Sequence, residues 1–79
     1  MLDKKTLGLI IKKKRKEKGM KQNQVSSATN LSRNYISDIE NGRYMPSVEA
    51  LSKIARCLDL DLNILKMTEI QFKNNVKAR

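Results

Sequence analysis

Two short helical patterns lie between Gly19 and Gly42, joined by only four residues, and that spacing limits the fold more than any other feature. The stretch runs from Met20 to Arg43, MKQNQVSSATNLSRNYISDIENGR, with its joint at Thr29-Asn30-Leu31-Ser32. Asn is the residue other than Gly that most readily takes a left-handed backbone, so Asn30 can turn the chain sharply. Ser32 is then a strong N-cap for the segment that follows. Gly19 and Gly42 stand where closing glycines belong, one before the pair of helices and one after it. Two helices joined so tightly imply a helix-turn-helix.

Around this unit the periodicity predicts three more helices. The first runs from about Lys4 to Lys18, with Leu7, Ile10 and Ile11 on one face. Lys12, Lys13, Lys14, Arg15, Lys16 and Lys18 crowd its last two turns, where cations suit the helix dipole. They point all around the helix, so most are expected to form a solvated, field-generating surface, with one or two reaching a phosphate. The second helix spans about Gln22 to Thr29, with Val25 and Thr29 inward and Ser26 small enough to admit a neighbour. The third spans about Arg33 to Asn41. Ile36 and Ile39 form its apolar stripe, flanked by Tyr35 and Glu40, while Arg33, Asn34, Ser37 and Asp38 occupy the opposite arc.

That arc holds a cation, an amide, a hydroxyl and a carboxylate, all able to bond base edges. A solvated helix surface would show similar residues; what favours base reading is the position after a tight turn in a basic protein. Pro46 halts the third helix, and Ser47 caps a fourth with Glu49 in its first turn. Val48, Leu51, Ile54, Ala55 and Leu58 give that helix a buried stripe, and Cys57 at its boundary reads as a small core residue. Asp61 can cap a fifth helix, Leu62 to about Met67. Thr68 to Arg79 is polar with isolated Ile70, Phe72 and Val76, and either continues the fifth helix, packs on a partner or forms a tail. The expected organisation is one domain over residues 1–67 and an extension over 68–79.

Charge narrows the function. The 79 residues carry 17 Lys+Arg against 8 Asp+Glu, a net +9, and the pI is near 10.0. Residues 1–21 hold nine basic and two acidic residues; residues 22–79 hold eight and six. A small domain this basic points to nucleic acid first and an anionic membrane surface second. No apolar run is long enough for a membrane span, and none follows the basic start as in a signal peptide. Cys57 is the single cysteine and there is no histidine, so an internal disulfide, a catalytic triad and a His- or Cys-cluster metal site are excluded. The expectation is a cytoplasmic protein that is not an enzyme and needs no cofactor.

With these helices placed, the sequence resembles the helix-turn-helix family of the phage Cro and lambda-type repressors, also called the XRE family. The resemblance covers about Leu7 to Leu65. It rests on KEKGMKQNQVSSATNLSRNYISDIENGRYMPSVEALSKIARCLDL, with the helix-three ending I-x-x-I-E-N-G-R and the P-S-x-x-x-L-x-K-I-A of helix four. It implies an all-α, compact five-helix domain that binds double-stranded operator DNA, usually as a two-fold dimer, with helix three in the major groove and helix two across the backbone. By family position Arg33, Asn34 and Asp38 are base readers with Ser37 beside them. Gln22, Lys21, Asn41 and Arg43 are then backbone contacts. Arg15 and Glu40 match a family ion pair, so Glu40 is expected to hold helix three in place rather than read a base.

Several positions depart from the family pattern. Lys21 stands where Ser or Thr usually caps helix two, a loss of about 1 kcal/mol. Ser26 replaces the usual Ala, Lys14 a usual apolar residue, and Asn30 and Asp59 two usual glycines. Asp38 is an unusual reader because a carboxylate repels phosphate. Either it accepts from a cytosine amino group, or it bonds Arg33 or Asn34 and orients it.

The leading expectation is a sequence-specific DNA-binding transcriptional regulator with no ligand-sensing domain, responding to its own concentration. Phage or mobile-element repressors, restriction–modification controller proteins and antitoxin-type regulators share this size. The alternative is a protein-interaction module, coactivator or antitoxin-like, that uses the fold to hold a protein partner. A chain this short buries only roughly 60–65% of its unfolded surface, which favours a second copy. Ile64, Ile70 and Phe72 are the apolar residues expected to remain for a homodimer contact, once Leu62 and Leu65 help to close the core; the competing reading folds Ile70 and Phe72 back onto their own domain. No small-molecule ligand is expected, and no helix pairs a basic face with an aromatic-anchored apolar one as membrane binding requires.

Overall fold

A computed structural model describes residues 3–61 as four helices joined by short turns. Helix α1 (Lys4–Glu17) begins where the extended Asp3 accepts a hydrogen bond from Thr6 N at 2.7 Å. That bond to the charged form holds the Asp3 carboxyl below its usual range. The helix closes at Gly19, whose φ of 67° lets Gly19 N reach Lys16 O at 3.0 Å and Met20 N reach Arg15 O at 3.1 Å. This is a Schellman turn, and Lys18 is its cap rather than a further helical residue.

Helix α2 (Gln22–Thr29) starts at Lys21, which gives no side-chain cap. Gln24 Oε1 instead accepts from Lys21 N at 2.7 Å, one half of a capping box, and offsets part of the missing cap. Asn30 ends α2 with a left-handed φ of 64°. The joint is stitched by two hydroxyls: Ser26 Oγ donates to Leu31 O, and Thr29 Oγ1 donates to Val25 O at 2.7 Å while accepting from Leu31 N at 3.3 Å. Ser26 is therefore more than a small residue at a close approach. Ser32 Oγ accepts from Tyr35 N at 3.0 Å and opens α3 (Arg33–Glu40). A second Schellman turn closes α3, with Gly42 at φ 75°, Gly42 N bonded to Ile39 O and Arg43 N to Asp38 O.

Helix α4 (Val48–Leu58) is capped by Ser47, whose Oγ accepts from Ala50 N at 3.1 Å. Ser47 N donates to the Tyr35 hydroxyl at 3.3 Å, so α3 also fixes where α4 begins. Asp59 ends α4 at φ 54°, and its carboxylate pairs with Lys18, which holds the carboxyl below its usual range. Both ends of the chain that the structure describes are thus tied to α1.

Helix α1 packs on α3 and α4, and α2 packs on the same two helices. Leu7, Ile11, Val25, Ile36, Ile39, Ile54 and Leu58 form the buried core. Two of the expected apolar faces shift. Ile10 is only half-buried, and Val48 is 83% exposed while Ala50 is buried. At about 100° per residue Val48 lies about 120° around α4 from Ile54, at the edge of the stripe and in the helix's first turn. Gly8 is a feature that periodicity does not register. A Cβ there would lie 2.3 Å from Ile39 O and 2.8 Å from Glu40 O, so α1 crosses the carbonyl end of α3 at a distance only glycine allows.

The compact five-helix architecture implied by the resemblance is corrected to four helices. The fold is all-α, with no strand among the described residues, and α1 to α4 make the core it shows. The fifth helix expected over 62–67 lies outside the described residues, as do Leu62 and Leu65, expected to help close the core. Six residues are under two turns, so an Asp cap and four apolar side chains are a weak local signal. The extension over 68–79 also lies outside the described residues.

Candidate nucleic-acid interface

One buried ionic joint sets the position of α3. Arg15, in the last turn of α1, donates from Nε to Glu40 Oε2 at 2.6 Å and from Nη2 to Glu40 Oε1 at 3.0 Å. Its Nη1 donates to Met20 O at 2.8 Å, so the guanidinium also holds the turn that leads into α2. Gln22 Nε2 donates to Glu40 Oε1 at 3.1 Å. Arg15 and Glu40 are both buried, and the forked geometry suits the planar guanidinium and carboxylate. Among the described residues no buried side-chain nitrogen or oxygen lacks a partner. The joint therefore links α1, α2 and α3 at one point, with Glu40 accepting three hydrogen bonds. An amide nitrogen carries two N–H groups, and Gln22 spends one of them on Glu40.

The arc of α3 turned away from Ile36 and Ile39 presents a different chemistry. Arg33 and Asn34 lie in the helix's first turn, exposed, and their side chains bond no described residue. A shallow groove beside them is lined by Arg15, Lys21, Gln22, Asn23 and Arg33. Its lining is cationic or amide throughout, and Lys21 and Asn23 are exposed. One turn further along α3, Ser37 and Asp38 are half-buried. Asn41 caps the helix end and donates from Nδ2 to Ser37 Oγ at 3.4 Å.

Asp38 bonds neither Arg33 nor Asn34. Its Oδ1 accepts from Arg43 Nη1 at 2.8 Å, across the Schellman turn. Lys4 Nζ donates to Arg43 O at 3.3 Å, bringing one cation from the start of α1 to this end of α3. The structure thus brings Lys21, Gln22, Arg33 and Asn34 to one end of the helix pair, and Ser37, Asp38, Asn41 and Arg43 to the other end of α3. The side-chain pairing of Asp38 with Arg43 was not foreseen, though an Asp four residues before a closing Gly and an Arg just after it is a readable signal. Ile64, Ile70 and Phe72 lie outside the described residues.

No group of three His, Cys, Asp or Glu among the described residues is placed to hold a metal ion. Cys57 is half-buried, and burial pushes its thiol up from the usual value, which disfavours the reactive thiolate. No described helix is long and apolar enough to cross a membrane.

Residues 11–65 match the model of the helix-turn-helix family. The ImmF control region 10 kDa protein of Bacillus phage phi105 is 62% identical over 71 residues, covering 90% of this chain and 79% of that protein. The immunity repressor protein of the same phage is 38% identical over 68 residues, 86% of this chain but 47% of the repressor, so the chain spans about half of that relative. Among solved structures, an S52A mutant of the restriction–modification controller protein C.Esp1396I has a TM-score of 0.68 at 32% identity, covering 95% of each chain. Sequence, turn geometry and backbone agree, and the chain belongs to the XRE-type helix-turn-helix family.

Proposed function

We infer that the chain is a DNA-binding transcriptional regulator that places α3 in the major groove of double-stranded operator DNA, with two copies on one two-fold site. The observation that carries this is the contrast within α3. A buried joint fixes the helix at Glu40, while Arg33 and Asn34 stand exposed, without a side-chain partner among the described residues, beside a cationic groove that Arg15 and Gln22 help to line. Arg and Asn are the side chains that bond guanine and adenine in pairs of hydrogen bonds. Lys21, Gln22, Asn41 and Arg43 flank them and would bond phosphates, Gln22 through its second N–H. Ser37 and Asp38 extend the readable arc. The phage control-region and immunity-repressor relatives support a regulatory role in a phage or prophage setting. The case for two copies is physical: phosphate attraction alone gives about 10⁻⁴–10⁻⁶ M, and one helix reads few base pairs.

Selection of bound duplexes from random DNA tests this directly. The expected product is one enriched motif with two-fold symmetry and half-sites about 34 Å apart. Failure to enrich any motif from the full chain would sink the reading; an enriched motif without symmetry would remove the second copy only.

A further inference from the structure

The ion pair at the end of α3 is a product of its turn. A Schellman turn brings the residue after its glycine against the residue three from the helix end, a contact more often apolar. Here those two positions are Arg43 and Asp38. Arg43 N bonds Asp38 O at 2.9 Å, and Arg43 Nη1 bonds Asp38 Oδ1 at 2.8 Å. Backbone and side chain therefore hold the same pair together, with Gly42 at φ 75° making the turn possible. Asp38 Oδ2 takes no hydrogen bond from any described residue, and the guanidinium keeps donors beyond the one it uses.

We propose that Asp38 is a specificity-determining residue that works by competing with DNA for Arg43 and by opposing phosphates wherever no base repays it. This rests on the DNA-reading role of α3 proposed above. On an arbitrary duplex the carboxylate repels the backbone and occupies part of Arg43, the cation paired with it. Its open oxygen is an acceptor, and the base edge in the major groove that donates to such an acceptor is the cytosine amino group. A site that places cytosine there recovers what other sequences lose. Asp38 so lowers binding to wrong DNA more than it raises binding to right DNA. Arg43, tied to Asp38, spans the carboxylate and a phosphate, which lets an anion sit on the face that enters the groove.

The test uses the full chain, the duplex enriched by selection, and a shuffled duplex of equal length, titrated at several salt concentrations. Asp38→Asn is expected to bind the shuffled duplex more tightly, with a salt slope steeper by up to about one unit, as Arg43 is released to phosphate. The ratio of enriched to shuffled affinity is expected to fall roughly tenfold or more. Arg43→Ala is expected to weaken binding to both duplexes, and adding Asp38→Asn to it is expected to restore part of the shuffled-duplex affinity. The pair is half exposed, so Asp38→Asn is expected to melt close to the parent chain. A ratio and slope unchanged by Asp38→Asn, in a chain that does select a motif, overturn the inference alone. So does an absence of any restoration in the double variant. A parent chain that selects no motif overturns both the inference and the reading beneath it.

Discussion

Arg33 and Asn34 differ from Gln22 in what their own chain asks of them. The first two have no polar side-chain partner among the described residues, so removing either side chain is expected to leave the fold unchanged. Arg33→Ala and Asn34→Ala are expected to relax preference at defined base pairs by roughly 1–3 kcal/mol each, with unchanged melting temperature. Competition between the enriched duplex and single-base variants measures it; equal weakening of every sequence would make these residues phosphate contacts instead. Gln22 has two duties. Gln22→Ala removes a donor from the buried Glu40 carboxylate, a loss of about 1.5–3 kcal/mol for a hydrogen bond to a charged group. It is expected to lose affinity and melt earlier, yet leave the salt slope alone because the amide carries no charge. A slope that changes with Gln22 would count against that division of labour.

At the scale of helices, α1 positions α3 through the Arg15–Glu40 joint and the crossing at Gly8, besides the core they share. Glu40→Ala strands a buried guanidinium, which is expected to cost about 3–5 kcal/mol. In a domain this small each kcal/mol shifts the melting temperature by about 4–8 °C. Calorimetry on Glu40→Ala should show that loss, with DNA affinity falling only as folded protein is lost; a normally stable variant unable to bind would make Glu40 a reader. Gly8→Ala tests the crossing. Alanine favours a helix by about 1 kcal/mol, but its Cβ would meet Ile39 O at 2.3 Å, so backbone must move. Overpacking of this kind costs about 1–3 kcal/mol or more, and the net expectation is a destabilised chain with α3 displaced. A Gly8→Ala chain more stable than its parent would show that α1 does not cross α3 so closely.

These elements also mark where the sequence could be read. Asn30, Ser32, Ser47 and the glycines at 19 and 42 act within four residues of themselves, so their caps and turns were legible. The face of α3 followed from its period. Gly8 acts across 31 residues, on Ile39, and no local pattern carries such a contact; a glycine inside a helical run was the only trace. Val48 was misplaced because a stripe inferred from spacing does not say where neighbouring helices stop. The fifth helix and the side chains Ile64, Ile70 and Phe72 lie outside the described residues, and a run of six residues is too short to fix a helical face from spacing alone.

The whole molecule carries +9 in 79 residues, nine of its 17 cations lying in the first 21. Such a field speeds encounter with DNA and makes binding steeply salt-dependent, without choosing a sequence. On the two-copy reading proposed above, choice would depend on both copies sharing one site. Sedimentation equilibrium on the full chain and on a chain ending at Met67 locates their contact: a monomer after truncation is expected if Ile70 and Phe72 supply it, and an intact dimer would place it elsewhere. The buried joint of Arg15, Glu40 and Gln22 reaches further than geometry. Apparent affinity is intrinsic affinity scaled by the fraction of chains in the competent state. If α3 reads DNA as proposed, it is held by the contacts that hold the fold, and melting and release from the operator would be one event. Lesions at Arg15 or Glu40 are then expected to give temperature-sensitive control, with genes silent or active in the cold and switched by a few degrees of warming.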